Sequence, residues 1–316
     1  MKNLFRLLNT TKKKIIAILT VLAVLASSVI SLNEICFHLS FIPSWNDLYV
    51  MAGLRDDISL SDGAFKMTVR DVGNADCILL QSGDKFALVD AGEGDDGEEL
   101  VAYCKQTGIT RFEFVIATHF DHDHIGGMTD VIENMEIGTF YLRFMPEGYT
   151  PTTKTYEKML TALVNRNVSV VEPNFGEIVN LGDTRIELLS GHTDYKDTND
   201  QSIVCKATFG NTAFLLTGDA GKATENDLVD EQIDLHADVL KVGHHGSDTS
   251  STESFLQAVS PKYAVISCGF LNQYGHPDIE VLNRLSKQNV QVFRTDINGA
   301  VVLLSDGNTV TVTSEK

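Results

Sequence analysis

The chain has 316 residues, 43% hydrophobic and 22% charged, with 43 acidic against 25 basic side chains and a formal charge of −18. This composition supports one large globular domain or two fused halves and excludes a disordered or fibrous chain. Five basic residues and no acidic ones fall in the first 33 positions, so the remainder carries −23 and repels polyanions, and no long Lys/Arg run offers a counter-patch.

The first 33 residues form a separate object. Lys2, Arg6, Lys12, Lys13 and Lys14 precede an uncharged apolar run from Ile15 to Leu32. That run is long enough to cross a bilayer and has no polar face to suit a buried core helix. Residues 15–25 followed by Ala26-Ser27-Ser28 also match a signal peptide with a small-residue cleavage site. Continuation of the run through Val29, Ile30 and Leu32 favours an uncleaved transmembrane helix. On either reading the basic flank stays cytoplasmic and the rest emerges on the outer side. The expectation is a single-pass protein of the cell membrane with an extracytoplasmic domain, or else a secreted one. Residues 34–63, which include Trp45, read as a linker with a short helix, leaving 64–316 as the main domain.

Short β-rich runs then begin: FKMTVRDV (65–72), DCILLQS (76–82) and FALVD (86–90), separated by Gly-Asn and Gly-Asp turn signals. Phe65, Met67 and Val69 alternate with Lys66, Thr68 and Arg70, which predicts a sheet with one wet face. FEFVIAT (112–118) predicts a buried strand and 152–166 a helix. A sheet-like stretch follows from Ile178 to Leu216. Further buried strands are expected at ADVLKV (237–242) and KYAVISC (262–268), helices at 222–231, 251–259 and 278–288, and closing strands at 290–293, 299–304 and 308–313. The pattern implies an α/β protein with helices covering sheets in two roughly similar halves. Cys36, Cys77, Cys104, Cys205 and Cys268 are odd in number and widely spaced, and most have apolar neighbours. They read as buried free thiols rather than a disulfide framework or zinc knuckle.

Chemistry concentrates where strands end. THFDHDHIGG (118–127) places His119, Asp121 and Asp123 at alternate positions directly after an apolar strand, so that an extended chain would present them on one side. His124 follows, and Gly126-Gly127 permit a sharp turn into a helix that approaches closely. Four ionisable groups so crowded repel or desolvate one another unless a cation holds them. FALVD-Ala-Gly puts Asp90 at another strand end, AFLLTGD puts Asp219 at a third, and DVLKVGHHGS puts His244 and His245 at a fourth. In open α/β sheets such ends are where ligands collect.

The order Asp90, HxDxDHxGG, Gly-Asp and His-His-Gly-Ser resembles the metallo-β-lactamase fold superfamily. More narrowly, the chain is similar to the hydrolase-like domain of ComEC-type competence proteins, which act in DNA uptake. DVGNADCILLQSGDKFALVDAG (71–92), TNDQSIVC (198–205), LLTGD (215–219), DVLKVGHHGSDTS (238–250) and NQYGHPD (272–278) carry this resemblance across residues 64–313. It implies a four-layer αβ/βα sandwich with two divalent metal ions, zinc or manganese, at one edge. Carried over, His119 and Asp121 bind the first ion, Asp123, His124 and His244 the second, and Asp219 bridges both. Asp90 orients the ligand loop from behind, as does His245, and Ser247, His276 and His245 are placed towards an anionic substrate. His122 falls at a variable position and is expected on the surface. The last ligand of the first ion stays open between His192 and Asn199 or Asp200. The implied activity is hydrolysis by metal-activated water, with Asp219 and Asp123 catalytic. A phosphodiester, DNA among the candidates, is a stronger substrate than a β-lactam. The strong negative charge and single apolar segment argue against the chain itself being a DNA channel. A wall polymer, a nucleotide, or a metal-dependent binding role without turnover are the alternatives. Nothing in the sequence identifies a protein partner.

Overall fold

Alternating apolar residues and Gly-containing turns produce fifteen strands in the described part of the chain. They are β1 (Phe65–Val69), β2 (Cys77–Ser82), β3 (Lys85–Ala91), β4 (Arg111–Ile116), β5 (Glu136–Tyr141), β6 (Ser169–Val171), β7 (Glu177–Leu181), β8 (Thr184–Leu188), β9 (Cys205–Phe209), β10 (Thr212–Leu216), β11 (Val239–Lys241), β12 (Tyr263–Ile266), β13 (Gln291–Arg294), β14 (Val301–Ser305) and β15 (Val310–Ser314). The computed structural model describes residues 20, 24–31, 64–145, 148, 150–189 and 195–316. Its strands form two sheets, ordered β15-β14-β1-β2-β3-β4-β5-β6 and β13-β12-β11-β10-β9-β8-β7.

The inner faces of the two sheets meet in one core. Phe65, Met67 and Val69 of β1 pack there with Ile186 of β8 and Phe214 of β10, and the Phe65 and Phe214 rings lie edge to face at 4.9 Å. Helices cover both outer faces. Leu100 and Cys104 of α1 (Asp96–Gln106), Val131 and Ile132 of α3 (Met128–Asn134) and Met159 of α4 (Lys154–Asn165) bury against the first sheet, with the single turn α2 (His122–Ile125) beside them. Leu228 of α5 (Lys222–Asp230), Phe255 of α6 (Glu253–Val259) and Leu285 of α7 (Ile279–Lys287) bury against the second. The result is the expected α/β sandwich of four layers.

Three features differ from expectation. Helix α1 and strands β5 and β6 were not marked by the periodicities used above; in α1 the signal is present as acidic residues in the first turn and buried Leu100, Val101 and Cys104. The halves do not follow chain order, because β14 returns to pair antiparallel with β1, Phe65 opposite Ser305 and Val69 opposite Val301. The face of β1 expected to be wet is largely covered: Thr68 is buried and Lys66 half-buried.

Residues 1–59 form a separate unit from 60–316. In the first unit residues 24–31 are helical, while most of the anchor expected over 1–33 and the whole linker expected over 34–63 lie outside the described residues. Among the described residues no helix is long and apolar enough to cross a membrane. Cys77, Cys104, Cys205 and Cys268 are buried free thiols.

Candidate metal centre

β3 pairs parallel with β4 in one sheet and β10 with β11 in the other. The segments following β4, β10 and β11 gather at one edge of the sandwich and carry His119, Asp121, Asp123, His124, Asp219, His244 and His245. After β4 the backbone bends at His119, is extended at Asp121 and then turns into α2, so Asp123 and His124 project from a helical turn rather than from an extended chain. A methyl group at Gly127 would run into the carbonyl oxygen of Ala91. Only glycine lets this turn seat on the end of β3.

Asp219, which follows β10, is 2% exposed and its two carboxylate oxygens divide the histidines into pairs. Oδ1 lies 3.2 Å from His124 Nε2 and 3.6 Å from His245 Nε2. Oδ2 lies 3.9 Å from His119 Nε2 and 3.7 Å from His244 Nε2. Asp123 Oδ2 joins the first pair, 3.3 Å from His245 Nε2, and Asp121 Oδ2 joins the second, 3.9 Å from His119 Nε2. Asp123, His124, Asp219 and His245 thus offer ligand atoms all within 4.8 Å of one another.

This grouping exchanges the two adjacent histidines relative to the one implied by the resemblance, which set His244 with Asp123 and His124 and held His245 behind them. The cause is backbone conformation. His244 and His245 are both left-handed, at φ 49° and 52°, so neighbouring imidazoles turn to different oxygens of Asp219. Side chains with a Cβ adopt this region at a cost of roughly 1–3 kcal/mol each, a strain characteristic of functional sites. Asn199 Nδ2 lies 3.3 Å from His244 Nε2. Asp200 is turned away, accepting from the Gly221 and Thr224 backbone and the Thr224 hydroxyl. His192 lies outside the described residues.

Each imidazole is fixed through its other nitrogen. His245 Nδ1 is 3.0 Å from the Ser267 carbonyl, which can only accept, so Nδ1 carries the proton and Nε2 presents a lone pair. His124 Nδ1 lies 2.8 Å from Asp90 Oδ2, with the same consequence. Asp90 is fully buried at φ 57° and also accepts from the Thr118 amide at 2.8 Å and hydroxyl at 2.7 Å. His244 Nδ1 meets Thr249 Oγ1 at 3.0 Å. Ser247, expected to face substrate, is buried and its hydroxyl is 2.9 Å from that of Thr249. His276 stacks edge-on against His244 at 5.7 Å between ring centres. His122 is exposed and reaches Thr155 on α4 at 3.1 Å.

The residues fit a bound cation. His119 Nε2, His124 Nε2, His245 Nε2 and Asp219 Oδ1 are all buried without a hydrogen-bond partner, and four such atoms do not converge in a stable core without something to satisfy them. Imidazole and carboxylate donors together suit a divalent metal ion. The electrostatics agree. Burial raises the Asp219 carboxyl, but His124 and His245 outweigh it and hold it well below the usual carboxylate range. Burial lowers His124 and His245, yet Asp219 pulls both above the ordinary imidazole value, with Asp90 adding to the effect on His124. His119 is pushed down to about 3 by burial and then by the neighbouring His124. The cluster therefore draws positive charge inward, and a divalent ion supplies it while leaving the imidazoles neutral.

Several supports escaped the sequence reading. Thr118 and Thr249 orient ligands, but a threonine in a loop carries no distinguishing mark. Lys241 is more legible in retrospect, being a charge inside the apolar strand DVLKV. It is wholly buried, with Nζ 2.8 Å from Asp76 Oδ2 and donating to the Val242 carbonyl at 3.0 Å. Asp76 Oδ1 in turn lies 3.9 Å from His245 Nδ1.

The family model of the metallo-beta-lactamase superfamily matches residues 70–269. The chain is 34% identical over 203 residues to ComE operon protein 3 of Bacillus subtilis (strain 168), a match covering 64% of this chain and 26% of that protein. It is 31% identical over 237 residues to competence protein ComA of Neisseria gonorrhoeae, covering 74% and 31%. It therefore spans about a quarter to a third of the length of these curated relatives. Among solved structures, a variant of the CmlA beta-hydroxylase superposes with a TM-score of 0.50 at 12% identity, over 82% of this chain and 58% of that one.

Proposed function

We infer the function from a family fact: this chain belongs to the metallo-beta-lactamase superfamily. It is a metal-dependent hydrolase whose substrate is a phosphodiester, DNA among them. The observation that carries this reading is the division of four imidazoles between the two oxygens of Asp219, with one further aspartate on each side. Two divalent ions would be held there, one by His119, Asp121 and His244 and one by Asp123, His124 and His245, with Asp219 facing both groups. Similarity to a protein named for competence supports a phosphodiester over a β-lactam. The basic flank and apolar run of residues 1–32 support anchoring in the cell membrane with the hydrolase domain outside.

When bound, such ions make water nucleophilic near neutral pH and offset the charge that develops on the attacked group. The chain's own residues supply the rest. Asp219 keeps the two sides in register. Asp123 is partly exposed on the cleft side and orients the attacking water through its carboxylate. Asp90 and the Ser267 carbonyl hold the Nδ1 protons of His124 and His245, so neither ring turns or changes tautomer as the reaction proceeds. His276, half-buried against His244, steadies the departing side of the substrate.

The test is metal analysis of the purified protein followed by zinc- and manganese-supplemented turnover of single-stranded DNA, a chromogenic phosphodiester and a β-lactam. Phosphodiester cleavage that disappears in Asp219→Asn is expected. Bound metal with no cleavage of any phosphodiester, or unchanged turnover in that variant, removes the reading.

A further inference from the structure

A row of aromatic rings leads from solvent to the metal centre. The Tyr274 ring stacks on His276 at 5.7 Å between centres and 22° between planes, and His276 in turn meets His244 at 5.7 Å. Tyr274 is 62% exposed, and Phe270 and Leu271 in the same loop are 76% and 86% exposed. The loop is nevertheless braced. Asn272 accepts from the His276 amide at 3.0 Å and donates to the carbonyls of Gly269 and His276 at 2.9 and 2.6 Å. Tyr274 is therefore held out on a fixed support. Asn272, Gln273 and Tyr274 line one side of a cleft of about 270 Å³, and Asn74, Glu93 and His122 line it with Asp123. Asn74 Oδ1 is buried without a hydrogen-bond partner.

A chain with a net charge of −18 cannot draw in a polyanion by long-range attraction. If the substrate is a phosphodiester, contacts beyond the metal have to come from uncharged surface, and an exposed ring stacked on a second ring beside the reactive edge is such a surface. A flat π-face accepts any base that is not already stacked in a duplex, and the amide side chains around it are suited to base edges. Resting on the phosphodiesterase reading, we propose that Tyr274, backed by His276, is a stacking platform for an unpaired nucleobase of the substrate. The site then selects single-stranded nucleic acid or nucleotides over phosphodiesters of sugars or glycerol.

Equilibrium binding to nuclease-resistant phosphorothioate oligomers tests this apart from turnover. The full-length metal-loaded protein is titrated with oligothymidylate and with an abasic oligomer of the same length. The wild type is expected to bind the base-bearing oligomer about tenfold or more tightly. Tyr274→Ala abolishes the difference, and Tyr274→Phe, which keeps the ring and loses only the hydroxyl, retains it. Equal affinity for the two oligomers in the wild type, or a base preference that survives Tyr274→Ala, overturns the proposal. Turnover of unmodified oligothymidylate, measured in parallel, reports separately on the hydrolase reading.

Discussion

Asp90 shows how a single residue serves this centre. At a left-handed position near the end of β3, its carboxylate takes the Thr118 amide on Oδ1, and with Oδ2 it takes the Thr118 hydroxyl and fixes the His124 tautomer. Asp90→Asn keeps the size but places an amide donor where acceptors are required, so metal affinity should fall about 10–100-fold, read by competition with a chromogenic chelator. Asp76 and Lys241 act one layer further back. Removing one member of a buried pair strands the other in an apolar interior. Lys241→Met should therefore destabilise the fold by about 3–5 kcal/mol in denaturant unfolding, with part of the loss recovered in the double variant with Asp76→Asn.

Among elements, the loop after the paired histidines is held from three directions. Glu225 on α5 accepts from the Ser251 and Thr252 amides. Arg284 on α7 donates to the Ser250 and Ser251 carbonyls, and Thr252 caps α6. Thr249, which orients His244, belongs to this loop, so helices remote from the cleft set the position of an imidazole inside it. Burial pushes the Glu225 carboxyl up to about 7 from its ordinary 4.5, against the opposing amides and Arg284. The folded state thus holds this proton more tightly than the unfolded chain does. The associated stability is complete below pH 4.5 and is lost as pH rises through 7. Over that interval the wild type should lose roughly 3 kcal/mol relative to Glu225→Gln, measured as the difference between their unfolding free energies at pH 5 and pH 8.

At the scale of the whole molecule, the ligands come from both sheets. His119, Asp121, Asp123 and His124 follow β4 of the first, while Asp219 and the paired histidines follow β10 and β11 of the second. A metal ion held by these residues would tie the two layers together and stabilise the sandwich only when both are folded. With free metal at 100 times its dissociation constant the gain is about 2.7 kcal/mol. For a domain of this size that is a rise in Tm of roughly 5–10 °C. A thermal melt after chelation and again after reloading with zinc or manganese checks it; identical melting temperatures would mean that no ion bridges the sheets.

The motif-bearing segments were legible because their chemistry is local: a run of His and Asp after an apolar strand, closed by Gly-Gly, is visible within ten residues. Most strands were legible for the same reason, since alternation and turn residues are short-range signals. The return of β14 to β1 was not, because strand pairing across more than 200 positions leaves no periodic trace. The assignment of His244 and His245 to opposite sides of Asp219 was hidden too, since the residues are adjacent and identical and only two successive left-handed backbone angles separate them. Sequence by itself determined which atoms are available to hold a cation and at which strand ends they stand. Tertiary structure decided how they divide into two groups, which buried pair and threonines aim them, and that Tyr274 stands beside them, because each depends on contacts between segments that sequence spacing does not relate.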